Sequence, residues 1–121
     1  MNLFKKAIVM CAVLMSFNSV AQSNKPLVAV FKQSYEYEAT KNYEAAVNVI
    51  NSLYNESSYE INLRLGWLHY LSGKYKESVN YYQKASALMP AATEPLWGII
   101  NPHAKQENWN EVEKIYLSIL K

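Results

Sequence analysis

The stretch "GKYKESVNYYQKAS", residues 73–86, decides the fold, because it recurs twice elsewhere in the 121-residue chain. "KNYEAAVNVINSLY" (41–54) and "ENWNEVEKIYLSIL" (107–120) superimpose on it without gaps. An aromatic leads each segment: Tyr43, Tyr75 and Trp109. Three residues on stand Ala46, Ser78 and Val112; seven on, Ile50, Tyr82 and Tyr116; ten on, Leu53, Ala85 and Ile119. These offsets fall on one face of an α-helix, so each segment is the same amphipathic helix. The leading aromatics are 32 and 34 residues apart, a period that signals a stacked array of helical hairpins.

Each of these helices has a partner just before it. "YEINLRLGWLHYLS" (59–72) reads as a helix stopped by Gly73, which adopts the left-handed turn conformation most easily. Ser57 stands three residues ahead of Glu60 and predicts a capping box at its start. In the third unit Thr93 predicts a cap, with Glu94 and Pro95 in the first turn. In the first unit the helix is expected from about Pro26 to Thr40, and Asn42 and Asn108 are expected caps for the helices that follow them. The expectation is an all-α chain of six helices in three units, about 26–56, 57–90 and 93–121. Pro102 falls inside the first helix of the third unit, where its missing N–H and its ring predict a kink after Asn101.

The second unit resembles a tetratricopeptide repeat. The residues that carry the likeness are Leu65-Gly66, His69, Ser78 with Tyr82 four on, Ala85 and Pro90. The resemblance implies that Gly66 and Ser78 let the two helices approach closely and that Tyr82 fills the gap between neighbouring hairpins. Asn62 occupies a slot where the family prefers tryptophan, and Ser34 and Ile100 stand where the second unit has Gly66, with Gly98 nearby.

Residues 1–21 are expected to be a cleaved signal peptide, an uncleaved amphipathic or anchoring helix being the alternative. "MNLFKKAIVMCAVLMSFNSVAQS" has Lys5 and Lys6, an apolar run from Ala7 to Phe17, then Ser19-Val20-Ala21, which places a signal-peptidase cut after Ala21. The run is 11 residues, too short for a transmembrane helix, which needs roughly 20. The whole chain has 12 Lys and Arg against 10 acidic residues, and Lys5 and Lys6 account for the entire excess. Residues 22–121 are thus neutral and carry no block of like charge for nucleic acid or lipid headgroups. Cys11, the only cysteine, leaves with the leader, so the mature domain is expected to have no disulfide and no thiolate chemistry. The expected location is the periplasm or cell envelope, or outside the cell.

No catalytic constellation is visible. His69 and His103 are one period apart and share a slot with Tyr37, so they read as packing residues with a polar edge. Zinc needs further ligands at short spacing, and neither Cys nor a nearby His supplies them. Aspartate is absent, and the closest glutamates, Glu36/Glu38 and Glu111/Glu113, are two apart, where helical side chains point in different directions. They read as solvated charge. The expectation is a non-enzymatic protein without metal or cofactor.

The resemblance implies instead that the first helix of each hairpin lines a groove for an extended or helical peptide. Carried over, this gives Phe31, Tyr35 and Glu38 from the first unit, Leu63, Trp67 and Tyr70 from the second, and Trp97, Asn101 and Lys105 from the third. Burial of Trp67 and Trp97 within the array is the competing reading. The chain stops at Lys121 directly after "IYLSILK", leaving Ile115, Leu117, Ile119 and Leu120 as an expected uncovered edge. Self-association, a bound partner, or a longer repeat protein of which this is the front part each account for that edge. The expected function is a scaffold that binds a peptide or protein partner in its groove; a structural spacer or self-associating segment is the alternative.

Overall fold

The computed structural model of the protein describes residues 25–121, so the leader, its cut after Ala21 and Cys11 lie outside the described residues. Six helices follow one another: α1 Lys25–Ala39, α2 Tyr43–Asn51, α3 Tyr59–Leu71, α4 Tyr75–Leu88, α5 Glu94–Lys105 and α6 Trp109–Ile119. Among the described residues there is no strand. The helices pair as three antiparallel hairpins, α1–α2, α3–α4 and α5–α6, stacked in chain order. The described chain is an all-α, tetratricopeptide-like array.

Within each hairpin the turn is built in one way. Lys41, Gly73 and Glu107 all take positive φ, at 60°, 77° and 59°. The amide after each reaches back to the carbonyl five residues earlier: Asn42 to Tyr37 at 2.9 Å, Lys74 to His69 at 2.8 Å, Asn108 to His103 at 2.9 Å. This is a Schellman-type ending, which satisfies carbonyls the first helix would otherwise leave open. Only the second turn uses a glycine for it.

The helix starts differ from the expected caps. Asn42 does accept the amide of Ala45 at 3.3 Å. In α3 the cap is Ser58, whose Oγ accepts the amide of Ile61 at 3.3 Å, and not Ser57. Glu60 then sits one residue too early in the helix to close a capping box. Thr93 and Asn108 hold the N-cap positions of α5 and α6 without a side-chain cap bond. Pro102 does not interrupt α5, which is helical from Glu94 to Lys105, and Gln106 again donates to the Pro102 carbonyl at 3.1 Å. The proline ring is fully buried, and the residue four before it, whose carbonyl it crowds, is Gly98.

The core gathers on α3, which touches α2, α4 and α5. Ala46 and Ile50 from α2 meet Ile61, Leu65 and Leu68 from α3, with Leu27, Val30 and Phe31 of α1 packed against them. Full burial of Ile50, Leu65 and Leu68 contributes about 1.5–3 kcal/mol each. The hairpins cross at small residues. Ser34 Oγ donates to the Ala46 carbonyl at 3.2 Å in the first hairpin, and Ser78 Oγ donates to the Gly66 carbonyl at 2.6 Å in the second. Those are equivalent positions with the hydroxyl moved to the other helix. Tyr82 then wedges between hairpins: a Cβ built on Gly66 would lie 2.8 Å from its ring, and one on Gly98 would lie closer still. Gly98 thus provides the close approach between the second and third hairpins.

Candidate functional site

Because α1, α3 and α5 lie side by side, residues three and four apart on each face the same way and line one groove of about 650 Å³. α1 supplies Phe31, Tyr35 and Glu38; α3 supplies Tyr59, Glu60, Leu63, Arg64 and Trp67; α5 supplies Glu94, Trp97, Gly98 and Asn101. The edge of Tyr82 reaches the floor between α3 and α5. Of the nine residues expected there, seven line this groove. Tyr70 and Lys105 do not. Tyr70 turns aside, its ring 5.6 Å from that of Trp67 and 6.1 Å from that of Tyr75. Lys105 lies a full turn beyond Asn101, exposed at the end of α5.

A buried ionic network forms the wall between α1 and α3. Arg64, only 6% exposed, directs Nη1 at the Glu38 carboxylate, 2.5 Å away. Its Nε and Nη2 donate to Ser34 Oγ at 3.2 and 3.1 Å, and the guanidinium stacks 4.0 Å from the Tyr35 ring centre. The second Glu38 oxygen accepts Trp67 Nε1–H at 2.7 Å. Every member sits where a partner needs it, which fixes the rings of Tyr35 and Trp67 at the groove surface. Glu38 is therefore not the solvated charge its sequence surroundings suggest.

Two readings of the tryptophans now separate. Trp67 is half-buried and held by Glu38, while Trp97 is 50% exposed with its ring edge-on to Tyr116 at 5.9 Å. At the open side, Tyr59 donates its hydroxyl to Glu94 at 3.4 Å, and burial together with that carboxylate pushes the Tyr59 phenol up. Burial does the same to Tyr82. Beyond Phe31 and Tyr35 the groove runs onto the outer flank of α1, a second, apolar hollow of about 700 Å³ over Leu27 and Val28. Glu60 borders both hollows.

The histidines lie elsewhere. His69 stacks on Tyr81 with ring centres 5.1 Å apart and planes within 6°. Burial, with help from Lys74, holds its imidazole below the ordinary value. Among the described residues no three His, Cys, Asp or Glu side chains gather as metal ligands. Glu111 pairs in solvent with Lys114 at 2.8 Å.

Arg64, Ser34, Tyr59, Glu60 and Glu94 are the site residues the sequence reading missed. Arg64 had a signal: it is the only arginine of the chain, set mid-helix between Leu63 and Leu65. A charge in that place calls for a buried partner, but the partner, 26 residues away in Glu38, is set only by how hairpins stack.

Hairpins of one shape, stacked so that their first helices share an aromatic-lined groove, define a helical-repeat array. The comparison with known families agrees: residues 59–92, spanning α3, α4 and the turn after them, match the tetratricopeptide repeat, so the chain carries a repeat of that family. Tetratricopeptide repeats generally mediate protein–protein interaction and are typically non-catalytic. No curated protein matches the chain. No helix among the described residues is long and apolar enough to cross a membrane.

Proposed function

We propose that this protein is a non-catalytic scaffold that binds a peptide or protein partner in the groove of α1, α3 and α5, in the cell envelope after loss of its leader. The observation that carries the reading is Trp97, a large aromatic left half-exposed in a groove whose other walls are pinned by buried contacts. Exposed aromatics in a preformed concavity are what partners bury to most effect. The test is crosslinking and capture from envelope extracts with wild-type protein and with Trp97→Ala, the variant's fold being checked by circular dichroism. Partners captured by wild type and lost from a folded Trp97→Ala variant support the reading; identical capture by both sinks it. N-terminal sequencing of protein from the envelope fraction checks export, with Gln22 expected as the first residue.

A second reading, self-association, is favoured by the outer face of α6, where Leu117 is 55% and Leu120 80% exposed.

A further inference from the structure

We propose that the groove selects a basic partner: an extended segment with two cationic side chains, Lys or Arg, at alternate positions beside an apolar one. The inference rests on the groove reading above and adds the charge of its occupant.

Charge complementarity carries it. Three carboxylates line the groove, Glu38, Glu60 and Glu94, against one cation, Arg64. Arg64 is consumed by Glu38. Glu60 and Glu94 are exposed and, among the described residues, have no basic partner; their polar contacts are the hydroxyls of Ser58 and Tyr59, each at 3.4 Å. Lys105, a cation expected in the groove, lies outside the lining. The starts of α3 and α5 offset part of this charge, about half an elementary charge each and fading within a turn. A net negative groove remains.

The aromatics favour the same ligand. At one end the groove already holds a cation between a ring and a carboxylate, with Arg64 against Tyr35 and Glu38. At the other end the half-exposed Trp97 ring and the Glu94 carboxylate line the same space, and among the described residues no cation of the chain occupies it. A Lys or Arg there gains both the ion pair and the ring face.

Position sets the spacing. Glu60 and Glu94 are 34 residues apart, one repeat, at the same place on neighbouring helices. Such helices lie about 9 Å apart, and alternate residues of an extended chain face one way roughly 7 Å apart, within reach of long cationic side chains. The next groove-facing residue falls on the apolar flank of α1, over Leu27, Val28 and Phe31, which Glu60 also borders. About six residues span the whole, at about 3.3 Å each.

The experiment uses protein purified from cells expressing the full chain and three fluorescein-labelled six-residue peptides. Each has a leucine and, at the next two alternate positions, lysines, glutamines or glutamates, with serines between. Fluorescence polarisation should show the lysine peptide binding roughly tenfold more tightly than the glutamine peptide, and the glutamate peptide weakest. The lysine preference should shrink with added salt and vanish in Glu60→Gln/Glu94→Gln, with the glutamine peptide unaffected by that change. Trp97→Ala should weaken both. Equal binding of lysine and glutamine peptides to wild type, still weakened by Trp97→Ala, overturns the charge inference and leaves the groove reading standing. No binding by any peptide, or binding that Trp97→Ala leaves unchanged, overturns both.

Discussion

The three hairpin turns share a backbone conformation that only one of them fills with the residue suited to it. A left-handed conformation costs a residue with a Cβ about 1–2 kcal/mol, and Lys41 and Glu107 both bear it. Glycine relieves that strain but loses more chain entropy on folding, by about 0.5–1 kcal/mol. Lys41→Gly with Glu107→Gly should therefore gain about 1 kcal/mol and raise Tm by roughly 5 °C. Gly73→Ala, at a position with nothing within 4 Å of the added Cβ, should lower it by a similar amount through conformation alone. Thermal unfolding by circular dichroism reads both; no rise in the double variant would mean the turns are not held as described. His69 gives the second residue-scale expectation. Its folded value lies below the ordinary 6.5 because burial, then Lys74, disfavour the imidazolium, with Glu77 opposing. The unfolded chain therefore binds the extra proton first, so stability is full above about pH 6.5 and falls as pH drops below it. His69→Tyr, the residue its slot holds as Tyr37 in the first hairpin, should flatten that fall in urea titrations across pH 5–7. Gly73 was legible in the sequence because glycine announces its own turn. Lys41 and Glu107 were not, because nothing in a lysine or glutamate signals positive φ until the turns are seen to coincide.

Whole helices were the most legible layer, since apolar periodicity reports the face a helix buries without reference to its neighbours. Their starts were less so. Ser57 and Ser58 are chemically equal candidates for the cap of α3, and tertiary placement chose Ser58. α3 itself hides its role. It is contacted on several sides, so Asn62, Arg64, Gly66 and His69 are buried along with Leu65 and Leu68, and no clean polar face remains to read. The Arg64–Glu38 pair ties α1 to α3 alongside the apolar packing of Leu27, Val30 and Phe31, and breaking one half should cost more than removing both. Arg64→Leu strands Glu38, though that carboxylate keeps 23% exposure and some water, so the loss should be about 2 kcal/mol, below the range for a fully buried pair. Arg64→Leu/Glu38→Leu should recover much of it. A double-mutant cycle by urea denaturation measures the coupling, and additive single losses would show that the pair does not join the hairpins.

At the scale of the molecule the repeat period set out the helices, and the resemblance carried over onto them placed seven groove residues on three helices before any contact was known. What it could not place was charge, since the sign of the groove depends on Arg64 turning inward to Glu38 and on Lys105 falling outside. The same period marks an exposed apolar face on α6. Ile50, Tyr82 and Tyr116 are equivalent by that period, and the first two pack against the next hairpin. Ile50 is fully buried and Tyr82 is 3% exposed, whereas Tyr116 is 44% exposed, with Leu117 and Leu120 beside it. Ile115 and Ile119, expected at that edge, are half-buried instead. If copies of the protein cover this face for one another, light-scattering mass should climb toward twice the monomer value as concentration rises. Leu117→Lys/Leu120→Lys places two charges on the exposed face, leaves the core packing intact, and should hold the protein monomeric at every concentration. Tyr116 is left unchanged because its ring meets Trp97 at the groove, so the variant should bind groove peptides as wild type does. A wild-type mass that stays at the monomer value throughout removes self-association. A mass that climbs equally in wild type and variant puts the contact on another face.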